Sequence, residues 1–158
     1  MEISWTNCNP LESDVPQDSN CAALINPARL DVRLLPDIGT VGGTTRRTMG
    51  IAVGYLASVS LRRVRQDADE FGVTLDAVLG PTLAHEIGHL LLTSQGHSPN
   101  GIMRARWRRE DYERAPRGAF AFTLKQAEMI RSEARKRAQW QAASSPLSSS
   151  LEKAHSAE

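Results

Sequence analysis

The stretch from residue 85 to residue 103 reads HEIGHLLLTSQGHSPNGIM, and the interpretation of the whole chain depends on it. It holds three of the four histidines in a chain of 158 residues. Its first five residues match the pattern HExxH, which places His85 and His89 one helical turn apart on the same face. Two imidazoles at this spacing can bind one tetrahedral metal ion. The stretch therefore predicts a metal site on a helix.

Helical geometry also predicts the role of Glu86. It lies about 100° around the helix from His85, close enough to take a proton from a metal-activated water but too far round to bind the metal. The opposite arc is apolar, which predicts that one face is buried and that the histidines face a cleft. That arc consists of Leu83, Ala84, Ile87, Leu90 and Leu91. A buried helix with incidental histidines is the alternative, and the rarity of the motif disfavours it.

The segment resembles the active site of the metzincin zinc metallopeptidases, and most of all the matrixin type. The family pattern is HExxHxxGxxH followed by a methionine turn. The resemblance implies one catalytic zinc ion, bound by His85, His89 and His97. It also implies that Glu86 is the general base and that Met103 forms the hydrophobic base under the metal. The match is close over residues 82 to 103 and elsewhere concerns only the order of elements.

The chain departs from the family pattern in the turn before the third histidine. Leu92 stands where the family has glycine, and His97 comes two residues late. A turn two residues longer, over residues 93–96, would reconcile the two, with Gly96 supplying the freedom to bend. The alternative third ligand is a carboxylate from further along the chain. The candidates are Glu110, Glu113, Glu128 and Glu133, each more simply a solvated helix charge.

The function implied by the resemblance is that of a zinc-dependent endopeptidase acting on peptide or protein substrates. One alternative is a non-catalytic, zinc-binding remnant of a metallopeptidase that serves as a binding module. A zinc hydrolase of non-peptide substrates is a third interpretation. Tyr112 is expected to be a surface or packing residue rather than a group that stabilises a developing oxyanion.

Composition fits one small enzyme domain, predicted over residues 1–143 with a disordered, serine-rich tail at 144–158. The net charge of +1 gives no reason to expect nucleic acid as a partner. There is no apolar run near 18 residues, so no membrane span is expected. We expect a monomer. The start lacks the features of a signal peptide, whereas the resemblance would imply secretion.

Two further features leave alternatives open. Cys8 and Cys21 could form a disulfide or remain free thiols, and a cysteine bound to the zinc to keep the enzyme latent is a third possibility. Residues 104–137 carry eleven basic and five acidic side chains. These are most simply solvated charges, but arginines flanking the cleft would favour acidic peptides. The arginines in question are Arg104, Arg106, Arg108 and Arg109.

Hydrophobic periodicity predicts an α+β fold. The predicted strands are 2–7, 29–35 and 51–60, the helices 61–71, 75–93 and 124–142, with a loop at 8–28 and an irregular segment at 104–119. The resemblance implies a small twisted mixed sheet packed on the active-site helix, with 51–60 as the substrate-binding strand. The family usually opens with a strand and a long helix before the element matched by 2–7. We therefore expect that the chain lacks these two elements through N-terminal truncation.

Overall fold

The computed structural model describes residues 29–39, 48–92 and 96–143. These residues form one three-stranded sheet and four α-helices, which confirms the predicted α+β class. The strands are β1 (Asp31–Leu35), β2 (Gly50–Val53) and β3 (Leu56–Ser60). The helices are α1 (Leu61–Phe71), α2 (Leu75–Leu91), α3 (Arg109–Arg114) and α4 (Leu124–Ala143), with a 3₁₀ turn at Ala115–Arg117.

Several predictions concern segments outside the described residues. The strand at 2–7, the loop that carries Cys8 and Cys21, and the tail at 144–158 all lie there. So do three of the four residues in the turn before His97. The structure does not test these predictions. It also does not test the predicted limits of the domain, the predicted truncation or the predicted monomeric state.

The sheet has the order β1-β3-β2, with β3 parallel to β1 and antiparallel to β2. The prediction of one continuous strand over residues 51–60 is wrong, because the chain reverses at Gly54 and Tyr55 to form a hairpin. Gly54 has a φ of +61°, which the first position of such a two-residue turn favours. The run of β-branched and aromatic residues over 51–60 has the same hydrophobic pattern whether it forms one strand or a hairpin. Only the glycine marked the turn.

Helix α1 has the predicted limits because a residue at each end satisfies free backbone groups. The Ser60 hydroxyl accepts a hydrogen bond from the Arg63 amide at 3.3 Å. Gly72, at a φ of +62°, ends the helix, and its amide donates to carbonyls of the last turn. Since Ser60 is also the last residue of β3, the sheet passes directly into the helix that packs against α2.

Helix α2 is buried around most of its circumference, not on one face only. The predicted apolar arc is buried at Leu90 and Leu91, but Val78 and Thr82, on the arc of the histidines, are buried as well. The helix contacts β2 and β3 of the sheet as well as α1 and α4. Pro81 lies inside the helix, as the predicted range of 75–93 implies.

An apolar cluster lies at the end of α2 and packs the turn that follows His97 against the helix. It contains Leu92, Ile102 and Met103, each at most 4% exposed. The turn lies close to the helix because Gly88 has no side chain. An added Cβ there would lie 2.5 Å from the Met103 sulfur and 2.8 Å from the Phe122 ring.

Residues 104–143 contain one helix that was not predicted, α3, and one that was predicted, α4. The prediction that residues 104–119 are irregular is wrong, because this segment contains α3. At its start the Arg108 amide donates to the Asp111 carboxylate at 2.8 Å. Thr123 and Gln126 form a capping box at the start of α4, in which they exchange amide-to-side-chain hydrogen bonds of 3.0 and 3.3 Å. Within the described ranges, no helix has the length and apolar content that crossing a membrane requires.

The close approach at Gly88 gives a test of the packing. Gly88→Ala is expected to lower the free energy of unfolding by about 1–3 kcal/mol, because the new methyl group must displace Met103 and Phe122. Gly80→Ala is the matched control on the same helix, since nothing lies within 4 Å of its added Cβ. That variant should gain up to about 1 kcal/mol from helix propensity. Denaturant unfolding of both variants measures the difference, and an equal response would contradict the packing described.

Candidate metal centre

Three imidazoles meet at one end of α2. His85, His89 and His97 each offer a ring nitrogen, and these nitrogens all lie within 4.8 Å of one another. The Nε2 atoms of His85 and His89 are 3.0 Å apart, as their spacing of one helical turn predicts. The ring centroid of His97 lies 5.2 Å from that of His85 and 5.1 Å from that of His89. The structure thus brings together the three histidines that the sequence singled out.

The ring of His85 is oriented by the turn that follows His97. Its Nδ1 lies 2.8 Å from the backbone oxygen of Ile102. A carbonyl oxygen only accepts, so Nδ1 must carry the proton and Nε2 presents a lone pair to the cluster. The Trp107 indole donates to the same oxygen at 3.2 Å, and its ring packs edge-on against His85.

His97 and Met103 are brought to the helix by one closed loop. The Ser98 amide donates to the Met103 carbonyl at 2.8 Å, which joins the two ends of the loop. Gly101 has a φ of +71°, and an added Cβ would lie 2.6 Å from the Ala121 carbonyl, so glycine is needed there. Met103, fully buried, thus packs against Gly88 near the end of α2. That it forms the hydrophobic base under a metal stays a prediction.

Burial favours the neutral, metal-binding form of the two helical histidines. It lowers the pKa of His85, opposed by the Ile102 hydrogen bond and reinforced by His97. Burial and the two neighbouring imidazoles lower the pKa of His89 to about 4. Neutral rings have free lone pairs at neutral pH, which is the form that binds a metal.

Glu86 lies in the wall of the same cleft and is 4% exposed. Burial raises the pKa of its carboxyl group to about 7. Its Oε2 atom has no hydrogen-bond partner among the residues that the structure describes. A buried carboxylate oxygen without a partner is costly to the fold, so such groups concentrate at sites where a ligand or water completes them.

The cluster fits a metal ion in spacing and in chemistry. Nitrogen ligands about 2.0–2.1 Å from a tetrahedral zinc ion lie about 3.3 Å apart, and the His85 and His89 nitrogens are 3.0 Å apart. Three nitrogen ligands leave one tetrahedral position open, the composition of catalytic rather than structural zinc sites. Glu86, whose Oε2 atom has no partner among the described residues, lines the same cleft as the three histidines.

The competing carboxylate ligands are not part of the cluster. None of the four glutamates considered belongs to the group of side chains whose ligand atoms meet. Glu113 pairs with Arg109 at 2.8 Å on the surface of α3, and Glu133 pairs with Arg137 at 3.0 Å on α4. Glu110 and Glu128 are exposed.

The cluster opens into a cleft of about 800 Å³ between β2, α1, α2 and the segment 104–107. Of the four arginines expected to flank it, Arg104 and Arg106 do so. The Arg104 guanidinium forms an ion pair with Asp111. Asp67 and Glu70 line the cleft as well, so its charge is mixed. A preference for acidic peptides therefore stays a prediction.

Tyr112 is a packing residue. It is 1% exposed, its ring packs against Phe71 and Trp107, and its hydroxyl donates to Asp67 at 3.0 Å. Burial and the neighbouring Asp67 carboxylate raise the pKa of the phenol. A phenol held in this way joins α3 to α1, as expected of a residue that stabilises the cleft wall.

Comparison with family models, with curated proteins and with solved structures gives no match to this chain.

Sequence reasoning missed three groups at this centre. The Ile102 carbonyl has no sequence signal, because every residue carries a backbone oxygen. Trp107 could have been expected to pack, but not to share that oxygen with His85. Gly50 was overlooked, although a glycine within a strand often marks a close approach, and here it adjoins Glu86.

Metal binding tests the role of His97. His97→Ala is expected to weaken zinc binding by more than about 100-fold. Loss of a residue that only hydrogen-bonds to a ligand costs about 10–100-fold in metal affinity, and loss of the ligand itself should cost more. Zinc content after dialysis and competitive titration with a chelator measure the effect. Lys125→Ala, at an exposed residue of α4, is the control and should leave the affinity unchanged. Unaltered zinc binding in His97→Ala would instead favour a carboxylate as the third ligand.

Proposed function

We propose that the chain is a zinc-dependent endopeptidase of the metzincin type. The observation that supports this most directly is the group of three histidines beside a buried glutamate with one free carboxylate oxygen. The group lines an open cleft rather than a closed pocket. A purely structural zinc site would have four protein ligands and no need of an unpartnered base.

Zinc is the metal we propose because three imidazole ligands suit it and leave a position for water. His85, His89 and His97 would hold the ion. When bound, zinc would act as a Lewis acid, lowering the pKa of a water and polarising the peptide carbonyl.

The protein residues would then carry out the proton transfers. Glu86 Oε2, which has no partner in the described part of the chain, would accept a proton from the attacking water. The same carboxyl group would pass that proton to the leaving amine. Burial keeps the carboxyl group away from bulk water, so the proton stays available for the second transfer.

The outer strand of the sheet suggests how a substrate would bind. β2 is paired with β3 on one side only among the described strands, and its residues Gly50–Ala52 line the cleft. An extended peptide could add to such an edge through backbone hydrogen bonds. This mode of binding would recognise the main chain of peptides and so favours a peptidase over a hydrolase of other substrates.

Replacement of the proposed base tests the proposal. Glu86→Gln should retain about one zinc ion per chain, because the histidines are unchanged, and should lower kcat/KM by about 10²–10⁴-fold through loss of the general base. Zinc content and cleavage of a quenched casein substrate, with and without a chelator, measure the two effects. Glu128→Gln, at an exposed residue of α4, is the matched control.

The outcomes separate the proposed function from its alternatives. Retention of full activity in Glu86→Gln would contradict the role of this residue as the base. A wild-type chain that binds zinc and cleaves no peptide substrate would favour the non-catalytic binding module.

A further inference from the structure

The first residue of β2 lies directly against the carboxyl group of Glu86. An added Cβ on Gly50 would lie 2.4 Å from Glu86 Oε1, 2.5 Å from Cδ and 2.6 Å from Cγ. Real Cβ atoms essentially never come so close to another heavy atom, so any side chain at this position would overlap the carboxyl group. The Glu86 side chain occupies the space that a side chain on Gly50 would fill.

The backbone conformation of Gly50 does not itself require glycine. Its φ does not lie in the positive range that glycine favours. Glycine within a strand is otherwise unfavourable, because it loses more conformational freedom on folding than other residues do. The reason for a glycine here is therefore the close approach to Glu86.

Strand β2 cannot easily move away from the helix at this point. Gly50 is paired with Val59 in the sheet, and the preceding residue, Met49, accepts a hydrogen bond from the Ser60 amide at 2.8 Å. On the other side, the Met49 sulfur lies 3.7 Å from the hydroxyl of Thr82, one turn before Glu86 on α2. Strand and helix are both held, so the side chain of Glu86 would have to rotate.

We propose that Gly50 is a positioning residue that holds the carboxyl group of Glu86 in the cleft beside the three histidines. Its backbone forms one wall of the space that the carboxyl group occupies, on the side of Oε1, Cδ and Cγ. The effect on catalysis rests on the proposed function, because it requires Glu86 to be the base. The contact between strand and carboxyl group does not, and it can be tested separately.

The catalytic test is Gly50→Ala in the full, zinc-loaded chain. Zinc content should not change, since no histidine is touched. We expect kcat to fall by at least about tenfold, a part of what a general base supplies, with a much smaller change in KM. Gly80→Ala, whose added Cβ meets nothing within 4 Å, is the matched control and should keep wild-type kinetics.

The test that does not depend on activity is a double-mutant cycle on melting temperature. Gly50→Ala should lower the melting temperature of the full chain by about 4 °C, as an overpacked site of this kind would. In a Glu86→Ala background the overlapping atoms are gone. The same substitution should then cost less than half as much, or raise the melting temperature.

Each result bears on one claim. An equal loss of melting temperature in both backgrounds would overturn the contact, and unchanged kcat in an active, zinc-loaded Gly50→Ala would overturn the positioning role. If the wild-type chain binds zinc and cleaves no peptide, the proposed function fails. The melting-temperature cycle would still decide whether Gly50 holds Glu86.

Discussion

The hydrogen bond from His85 to the Ile102 carbonyl joins the two parts of the chain on which the site depends. One partner lies on α2 and the other in the loop that carries His97 and Met103 at its ends, and the two atoms are 2.8 Å apart. The bond fixes the tautomer of His85 and the position of the loop at once. Together with the Ser98–Met103 backbone bond, it places the third histidine beside the first two.

Two glycines, Gly88 and Gly50, allow other parts of the chain to lie close to α2. Gly88 lets the Met103 sulfur and the Phe122 ring lie against the end of the helix, and Gly50 lets the strand approach Glu86. Each glycine leaves a space that a neighbouring side chain fills, Met103 and Phe122 at Gly88 and Glu86 at Gly50. The buried, unpartnered oxygen of Glu86 costs stability, and such local costs are typical of sites that bind or transform a ligand.

Much of the fold could be predicted from local patterns. The limits of α1 follow from periodicity and from end residues such as Ser60, and the start of α4 follows from the Thr123–Gln126 capping box. The hairpin at Gly54 was missed because the apolar alternation continues through the turn. Helix α3 was missed because a six-residue helix is too short to show a period, and its start depends on the contact of Asp111 with a backbone amide.

The sequence by itself determined that His85, Glu86 and His89 lie close together on one helix, because their spacing fixes their relative positions on any helix. It could not determine that His97 reaches them, since the distance closed by a loop depends on packing far along the chain. The tertiary structure decided this through the Ser98–Met103 backbone bond and the contact with Ile102. The tertiary structure also decided how Glu86 is buried. The strand that lies against it begins at Gly50, some 36 residues earlier, and no local sequence pattern shows that contact.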